Sequence, residues 1–371
     1  MGAWSYRNPV AVHFGWDVLD DLPRVLDGRD AVLITFPEAR AAGLEKRVRA
    51  LLGSRVREII WDIEPNPEVS WFASRYAGFW HRNAGCTMVA MGGGSAMDTA
   101  KLMQVATEDG SFESLFAALS IGAQPEVARA FPLIAVPTTA GTGSEVTPWA
   151  TLWDRSSAQP KKYSLHTQQT WPEAALVDPS LTLSAPAAVT RNSALDALSH
   201  SLESIWNVNS NPVSDTLAVE AARTVIATLP GLLENPSSRE LRASMSRASL
   251  MAGLAFSNTR TALAHSISYE MTLKHGLPHG LACSFTLPLV WRLATGADAG
   301  RDAVLARVFG ADVGAPWTRL SDFMRRVGVE TAFSAYGVDA SEARGMIEFA
   351  LGGARGKNFV NPAPRLDESI A

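Results

Sequence analysis

The chain reads as an α/β half followed by an all-helical half, and three observations carry that reading. Over residues 1–185, short β-branched runs (AVLIT, REIIWDI, TMVAM, LIAVP, AALVD) alternate with amphipathic helical stretches. That is the rhythm of parallel strands joined by crossover helices. From Pro186 onward strand-like runs nearly vanish, and helical segments such as SDTLAVEAARTVIATL and RELRASMSRASLMAGLAF follow one another. The two halves also carry different chemistry: glycine- and threonine-rich loops in the first, a carboxylate and imidazoles in the second. The junction is expected at LTLSAP (181–186), dividing the chain into 1–185 and 186–371.

The glycine loop lies in CTMVAMGGGSAMDTAKL (86–102), which reads as a buried strand, then Gly92, Gly93, Gly94 and Ser95, then a helix with Asp98 in its first turn. A strand that opens through glycines into a helix leaves unpaired N–H groups and a positive dipole end, which suits a pyrophosphate. The spacing is not GxGxxG, so the usual dinucleotide fingerprint is missing, and a plain tight turn is the alternative. LIAVPTTAGTGSEVTPWATLWD (133–154) repeats the strand-to-polar-loop pattern, with Thr138, Thr139, Thr142 and Ser144 among bare glycines. Apolar runs on both sides favour a rigid ligand loop over a surface linker.

In the helical half, Asp196 and His200 stand in LDALSHSLES, a stretch free of Gly and Pro. An i, i+4 pair projects from one helical face. His265 and His279 lie fourteen residues apart, with Pro278 and Gly280 fixing the second in a turn or helix start. One carboxylate and three imidazoles suit Fe²⁺, Zn²⁺, Co²⁺ or Mn²⁺, and not Ca²⁺ or a thiolate metal. On spacing alone, unconnected surface or core histidines are the alternative.

Composition agrees with two domains of ordinary core. The chain has 371 residues, 47% of them hydrophobic, and a net charge of −4 that gives no electrostatic case for nucleic acid. Its two cysteines, Cys86 and Cys283, sit in apolar surroundings and read as buried thiols in a reducing compartment. The start, MGAWSYRNP, lacks a signal-peptide core and no run of about 18 apolar residues occurs, so the expectation is a cytoplasmic protein with no membrane partner. The last ~20 residues, rich in Gly, Asn and Pro, are expected to be loosely attached.

Taken together, GGGSAMDTAK, PTTAGTGSEVT, DALSHSLE and the PHG turn resemble, in order, the motifs of the iron-containing (group III) alcohol dehydrogenases. The resemblance extends from VHFGWDVLDDLP (12–23) to about residue 330. Finer features, TPWATLWD, KKYSL, HSISYEMTLKHGLPHG and KNFVNPAP, resemble the phosphonoacetaldehyde reductase branch. It implies a Rossmann-like dinucleotide-binding domain followed by a helical metal domain, an architecture shared with dehydroquinate synthase, with the active site in the cleft between them. It also implies Fe²⁺, with Zn²⁺ the alternative, on Asp196, His200, His265 and His279. The nicotinamide cofactor is expected at Gly92 to Ser95, Asp98, Thr138, Thr139, Thr142 and Ser144, and an assembly of two or more copies is the family habit.

The sequence departs from many such relatives at two places. They often carry a further His one helical turn after the third ligand, implicated in the proton path; here that position is Tyr269. A phenol has a reference pKa of ~10 against ~6.5 for imidazole, so it is the poorer acid-base group at neutral pH. His275 is an alternative proton carrier or a competitor of His279 for the metal, with His279 favoured by its Pro-His-Gly setting. Many NAD-using relatives also place an Asp after the second strand, where this chain has Phe36. Without that carboxylate a 2′-phosphate is not repelled, and Thr35 and Arg40 are placed to accept one, which favours NADPH and leaves NADH open.

For an anionic substrate tail, Arg260 and Lys162 are the expected cations, since guanidinium pairs well with oxyanions. The expected activity is metal-dependent, NAD(P)H-linked reduction of a short anionic aldehyde, foremost phosphonoacetaldehyde to 2-hydroxyethylphosphonate. Phosphonopyruvate, lactaldehyde or a simple short-chain alcohol are the alternatives. A dehydroquinate-synthase-like lyase is the reading from a different reaction class, and a cofactor-binding sensor is remoter still.

Overall fold

The structure, a computed structural model, describes residues 3–157, 160–310 and 314–366. The chain forms two compact units. One comprises Asn8–Thr139 and Ser144–Ser184; the other comprises Met1–Arg7, Ala140–Gly143 and Ala185–Ala371.

The first unit contains all the named strands: β1 (Ala11–Phe14), β2 (Ala31–Ile34), β3 (Val56–Ile60), β4 (Thr87–Gly92), β5 (Val105–Ala106), β6 (Arg129–Ala130), β7 (Leu133–Pro137), β8 (Ala150–Asp154), β9 (Lys161–Leu165) and β10 (Ala174–Val177). Six of them make a parallel sheet in the order β1-β10-β7-β4-β2-β3. β2, β4 and β7 are buried along their whole length, which is why AVLI, TMVAMG and LIAVP are continuous apolar runs rather than alternating ones. Within β2, Val32 and Ile34 face one core with Met88 and Ala90, while Ala31 and Leu33 face another with Val89 and Met91. β1 and β3 are the edges, and β3 carries Arg57 and Glu58, charges that discourage further pairing.

Setting aside β1, the strand order reverses between β2 and β4. In open parallel sheets a ligand crevice lies outside the carboxyl ends of the strands at such a reversal. Thr35 and Phe36 follow β2 there, and Gly92 and Gly93 stand at the end of β4.

The second unit is helical among the described residues, apart from an isolated bridge between Asn207 and Phe359. The helices Ala187–Ile205, Pro212–Glu234 and Arg239–Thr259 pack on one another around Leu195, Leu198, Leu202, Ala222 and Ala252. Pro212–Glu234 begins at a capping box formed by Asn211 and Ser214. It is long and apolar enough to cross a membrane by length and composition, and half of its most apolar stretch is buried in this core. The expectation of a loose C-terminal tail is corrected for residues 359–361, while 367–371 lie outside the described residues. Val360 N–H donates to Trp206 O at 3.1 Å, Asn361 Nδ2 to Leu293 O at 2.8 Å, and Phe359 is 1% exposed.

Candidate metal and nucleotide sites

In the α/β unit the glycine and threonine loops are bound to each other. Thr138 N–H donates to Gly92 O at 3.0 Å, and a Cβ on Gly93 would lie 3.3 Å from Thr139 Oγ1. The helix Gly94–Gln104 starts directly after Gly93. Its first amides follow the end of β4, the arrangement that accepts phosphate oxygens. Ser95 Oγ accepts from Asn66 N–H at 3.1 Å. A Cβ on Gly92 would meet the Ala96 Cβ at 2.7 Å and the Phe36 ring at 3.3 Å, so only a bare backbone fits.

Asp98 lies in the second turn of this helix, not the first as expected, because the helix already begins at Gly94. It accepts hydrogen bonds from the Thr151 backbone and hydroxyl. Burial pushes its carboxyl up to about 6, against the pull of Lys101 and Lys162. One turn on, the fully buried Lys101 donates to Ser144 O (2.7 Å), Ser144 Oγ (2.8 Å) and Trp149 O (3.0 Å). Burial brings its amine down to about 8, and Asp98 and Glu145 draw it back up. Glu145 is buried too, and its carboxyl is pushed up to about 7. Sequence reasoning passed over Lys101 and Glu145, although the i, i+3 spacing of DTAK placed Lys101 on the face of Asp98.

Of the remaining cofactor expectations, Thr142 belongs to the segment that groups with the helical unit. Phe36 precedes the short 3-10 turn Pro37–Ala39, and Arg40 follows it. The Arg40 guanidinium stacks 3.8 Å above the Trp61 ring and pairs with Glu45 at 3.1 Å. Lys162 lies on β9 with its amine 4.9 Å from the centre of the Trp153 ring.

In the helical unit the four expected ligands come together. Asp196 and His200 project from the Ala187–Ile205 helix, His265 from Leu263–His275, and His279 opens His279–Ala282. The Nε2 atoms of His265, His200 and His279 lie 3.4, 3.8 and 3.8 Å from one atom, Asp196 Oδ1. Asp196, His200 and His265 are 3–5% exposed. His279 is held close because Gly280 packs directly on the Asn192 carbonyl, where any side chain would collide. Burial alone would raise the Asp196 carboxyl, but the His200 charge, the His265 hydrogen bond and the other imidazoles hold it well below its ordinary range.

The donors fit a divalent ion. Metal bonds of about 2.1 Å in tetrahedral array put ligand atoms about 3.4 Å apart, close to the 3.4–3.8 Å from Asp196 Oδ1 to each imidazole Nε2; the residues whose ligand atoms all lie within 4.8 Å of one another include Cys283 in place of His200. His265 Nε2 is buried with no hydrogen-bond partner of good geometry. Its other nitrogen meets Glu203 Oε2 at 2.5 Å, and its backbone N–H donates to Glu203 Oε1 at 3.0 Å. That carboxylate fixes the tautomer that turns the Nε2 lone pair toward Asp196. Cys283 joins the group: its thiol donates to Asp196 Oδ1 at 3.4 Å, and one ligand atom from each of Asp196, His265, His279 and Cys283 lies within 4.8 Å of the others. Glu203 was missed in the sequence although it stands one turn after His200; Cys283 was read as a core thiol only.

Tyr269 lies one turn beyond His265 on the same helix, and the Arg355 guanidinium sits 4.7 Å from its ring centre. His275, at the end of that helix, is not brought into the cluster; its Nε2 lies 3.2 Å from Glu342 Oε1. Arg260 is not on the His265 helix, which begins at Leu263. It terminates Arg239–Thr259 with a left-handed backbone (φ 68°).

A bare-backbone loop at a sheet reversal and an Asp/His₃ cluster on helices are the features expected of a metal-dependent dinucleotide enzyme. Residues 9–179 match the iron-containing alcohol dehydrogenase family, and residues 190–371 match the C-terminal part of the Fe-containing alcohol dehydrogenase family. The chain is 31% identical to long-chain-alcohol dehydrogenase 1 of Geobacillus thermodenitrificans over 359 residues, covering 92% of this chain and 89% of that protein. It is 29% identical to the 1,3-propanediol dehydrogenase of Klebsiella pneumoniae, covering 99% and 97%. Among solved structures, the sulfoacetaldehyde reductase of Bifidobacterium kashiwanohense in complex with NAD⁺ superimposes with a TM-score of 0.88 at 31% identity, covering 100% of this chain and 97% of the other. The protein belongs to the iron-containing alcohol dehydrogenase family and is an oxidoreductase of that kind.

Proposed function

We propose that this enzyme is an NAD(P)H-linked reductase of a short anionic aldehyde, foremost phosphonoacetaldehyde to 2-hydroxyethylphosphonate. The observation that carries the reading is the convergence of three imidazole Nε2 atoms on Asp196 Oδ1 in a unit that also presents arginines close to that cluster in sequence or contact. The likeness to a sulfoacetaldehyde reductase supports an anionic aldehyde as the substrate class.

Asp196, His200, His265 and His279 would hold the metal, Fe²⁺ or Zn²⁺, while Glu203 orients His265. A metal held there would supply Lewis acidity toward an aldehyde oxygen, and a nicotinamide cofactor would supply the hydride. Tyr269, one turn from His265, is the residue we assign to the proton path, acting at Oη with water; His275 is engaged with Glu342. On the nucleotide side Gly92, Gly93 and the amides after them would take the pyrophosphate, with Thr138 and Thr139 on the loop beside it. Asp98 and Ser144 order that loop through Thr151 and Lys101. Phe36 offers no carboxylate to repel a 2′-phosphate, which favours NADPH with NADH also used; Arg40 is the cation at that place. Two free, buried cysteines suit a cytoplasmic setting.

The test follows oxidation of NADPH and NADH with phosphonoacetaldehyde, sulfoacetaldehyde, phosphonopyruvate, lactaldehyde and propanal, on Fe²⁺-loaded and chelator-treated protein. Metal-dependent turnover fastest with phosphonoacetaldehyde is the expected result. Preference for another substrate moves the assignment to it. No net cofactor oxidation with any of them overturns the reductase reading.

A further inference from the structure

Arg260 and Arg355 stand within electrostatic range of each other, and Arg355 is also in range of Glu203, the carboxylate that holds His265. Arg355 Nε donates to Thr261 Oγ1 at 2.9 Å, beside Arg260, and its guanidinium lies over the Tyr269 ring at 4.7 Å. Asn358 Nδ2 donates to Thr261 O at 2.9 Å and Asn207 Nδ2 to Arg260 O at 3.1 Å, so both arginines spring from backbone that is tied down. Arg260 holds φ 68°, a left-handed conformation that an L-residue with a long side chain rarely adopts. Strain of that kind persists where the surrounding structure enforces it and clusters at ligand sites.

Neither the terminal nitrogens of Arg355 nor the side chain of Arg260 has a hydrogen-bond or ion-pair partner among the described residues. Glu203 is the carboxylate within electrostatic range, and both its oxygens are taken by His265. Burial brings the Arg355 guanidinium down to about 10; Glu203 draws it up, and the Arg260 charge pushes it down again. Arg355 therefore stays cationic at neutral pH and feels repulsion from the Arg260 side. An oxyanion placed between the half-buried Arg355 and the exposed Arg260 would offset that repulsion.

Its position suits a short substrate. Tyr269 follows His265 by four residues, a rise of about 6 Å along the helix. A guanidinium over the Tyr269 ring thus stands roughly one short aldehyde away from the expected metal ligand. Accordingly, we propose that Arg355, together with Arg260, binds the anionic end of the aldehyde, and that Arg355 is the residue that separates anionic from neutral substrates. The stacked guanidinium keeps its terminal N–H donors for a bidentate contact, which fits phosphonate, sulfonate or carboxylate. Lys162, by contrast, sits near Asp98 in the α/β unit and takes no part in this proposal. The inference rests on the reductase reading given above and names the group that selects its substrate class.

The experiment uses the metal-loaded full-length enzyme with Arg355→Gln, Arg260→Gln and, as a control on the same loop, the exposed Lys357→Ala. Steady-state constants are measured with phosphonoacetaldehyde, sulfoacetaldehyde and propanal. Ethylphosphonate, ethylsulfonate and propionate binding is measured by calorimetry, and metal content by elemental analysis. Arg355→Gln should raise KM for the two anionic aldehydes by roughly 10²-fold and abolish calorimetric anion binding, while propanal kcat/KM falls less than about threefold and metal content holds. Arg260→Gln should act in the same direction with a smaller effect, and Arg355→Lys should recover part of the loss. The alkyl anion bound most tightly by wild type distinguishes phosphonate, sulfonate and carboxylate. Equal losses with anionic and neutral aldehydes, or loss of metal from Arg355→Gln, would show a structural role and overturn the proposal. Wild type that reduces propanal and holds metal but binds none of the anions also overturns it, leaving the reductase reading standing. Wild type that neither holds metal nor oxidises cofactor refutes the earlier reading instead.

Discussion

The loops proposed for the nucleotide and the cluster proposed for the metal are built on opposite principles. In the α/β unit, the functional surface is largely backbone: Gly92 and Gly93 at the end of β4, the amides of the helix Gly94–Gln104, and a threonine loop hydrogen-bonded to Gly92. In the helical unit it is side chains alone, gathered from Ala187–Ile205, Leu263–His275 and His279–Ala282 onto Asp196. A backbone site is broken by adding atoms, and a side-chain site by removing them.

That contrast orders the predictions. The largest effect is expected from His265→Ala, which should cut turnover by at least about 10³-fold and deplete bound metal while leaving nucleotide affinity within about twofold. Equal weakening of nucleotide binding, followed by quenching of protein fluorescence, would mean that the two sites are not separable as described. Next comes Gly92→Val, whose Cβ would meet Ala96 at 2.7 Å. It should weaken NAD(P)H binding by roughly 10- to 100-fold with metal content unchanged. Retained nucleotide affinity would remove the glycine loop from the site.

The smallest effect is a pH dependence confined to the α/β unit. Asp98 and Glu145 have carboxyls raised to about 6 and about 7, facing Lys101, with Lys162 also near Asp98. A raised carboxyl binds more protons folded than unfolded. Its contribution is therefore fully present below the unfolded pKa of about 4 and is lost as pH climbs to about 7. Glu145→Gln should remove part of that decline, on the order of 1–3 kcal/mol between pH 4.5 and 7, as read from denaturant midpoints. A mutant curve that parallels the wild type would show that Glu145 is not the titrating group.

The same contrast explains what was legible in the sequence. A backbone site must be contiguous, so GGGSAMDTAK and PTTAGTGSEVT announce themselves as strand, bare loop and helix. The Asp196–His200 pair was readable for the same reason, both residues lying on one helical turn. His265 and His279 were reachable because a turn signal, Pro278 and Gly280, flagged the second. Glu203 was hidden among ordinary helix-surface glutamates, although its spacing from His200 pointed to one face. Arg355 gave no local sign at all. It sits in GGARGKNF, a stretch whose composition reads as loose, and only its contacts with Thr261 and Tyr269 reveal it. The register of Asp98 slipped by a turn because glycines obscure where a helix begins, and here Gly94 is already helical.

Glu203 holds His265 twice, through the backbone amide and through the ring nitrogen. The imidazole therefore loses its rotational freedom when the chain folds, before any ion arrives. Metal capture then needs little further ordering, and a site of fixed shape is presented alike to every divalent ion of similar size. Such a frame does not itself tell iron from zinc, whose affinities run against iron. A choice between them would then pass to the cell, through which ion is present while the protein is being made.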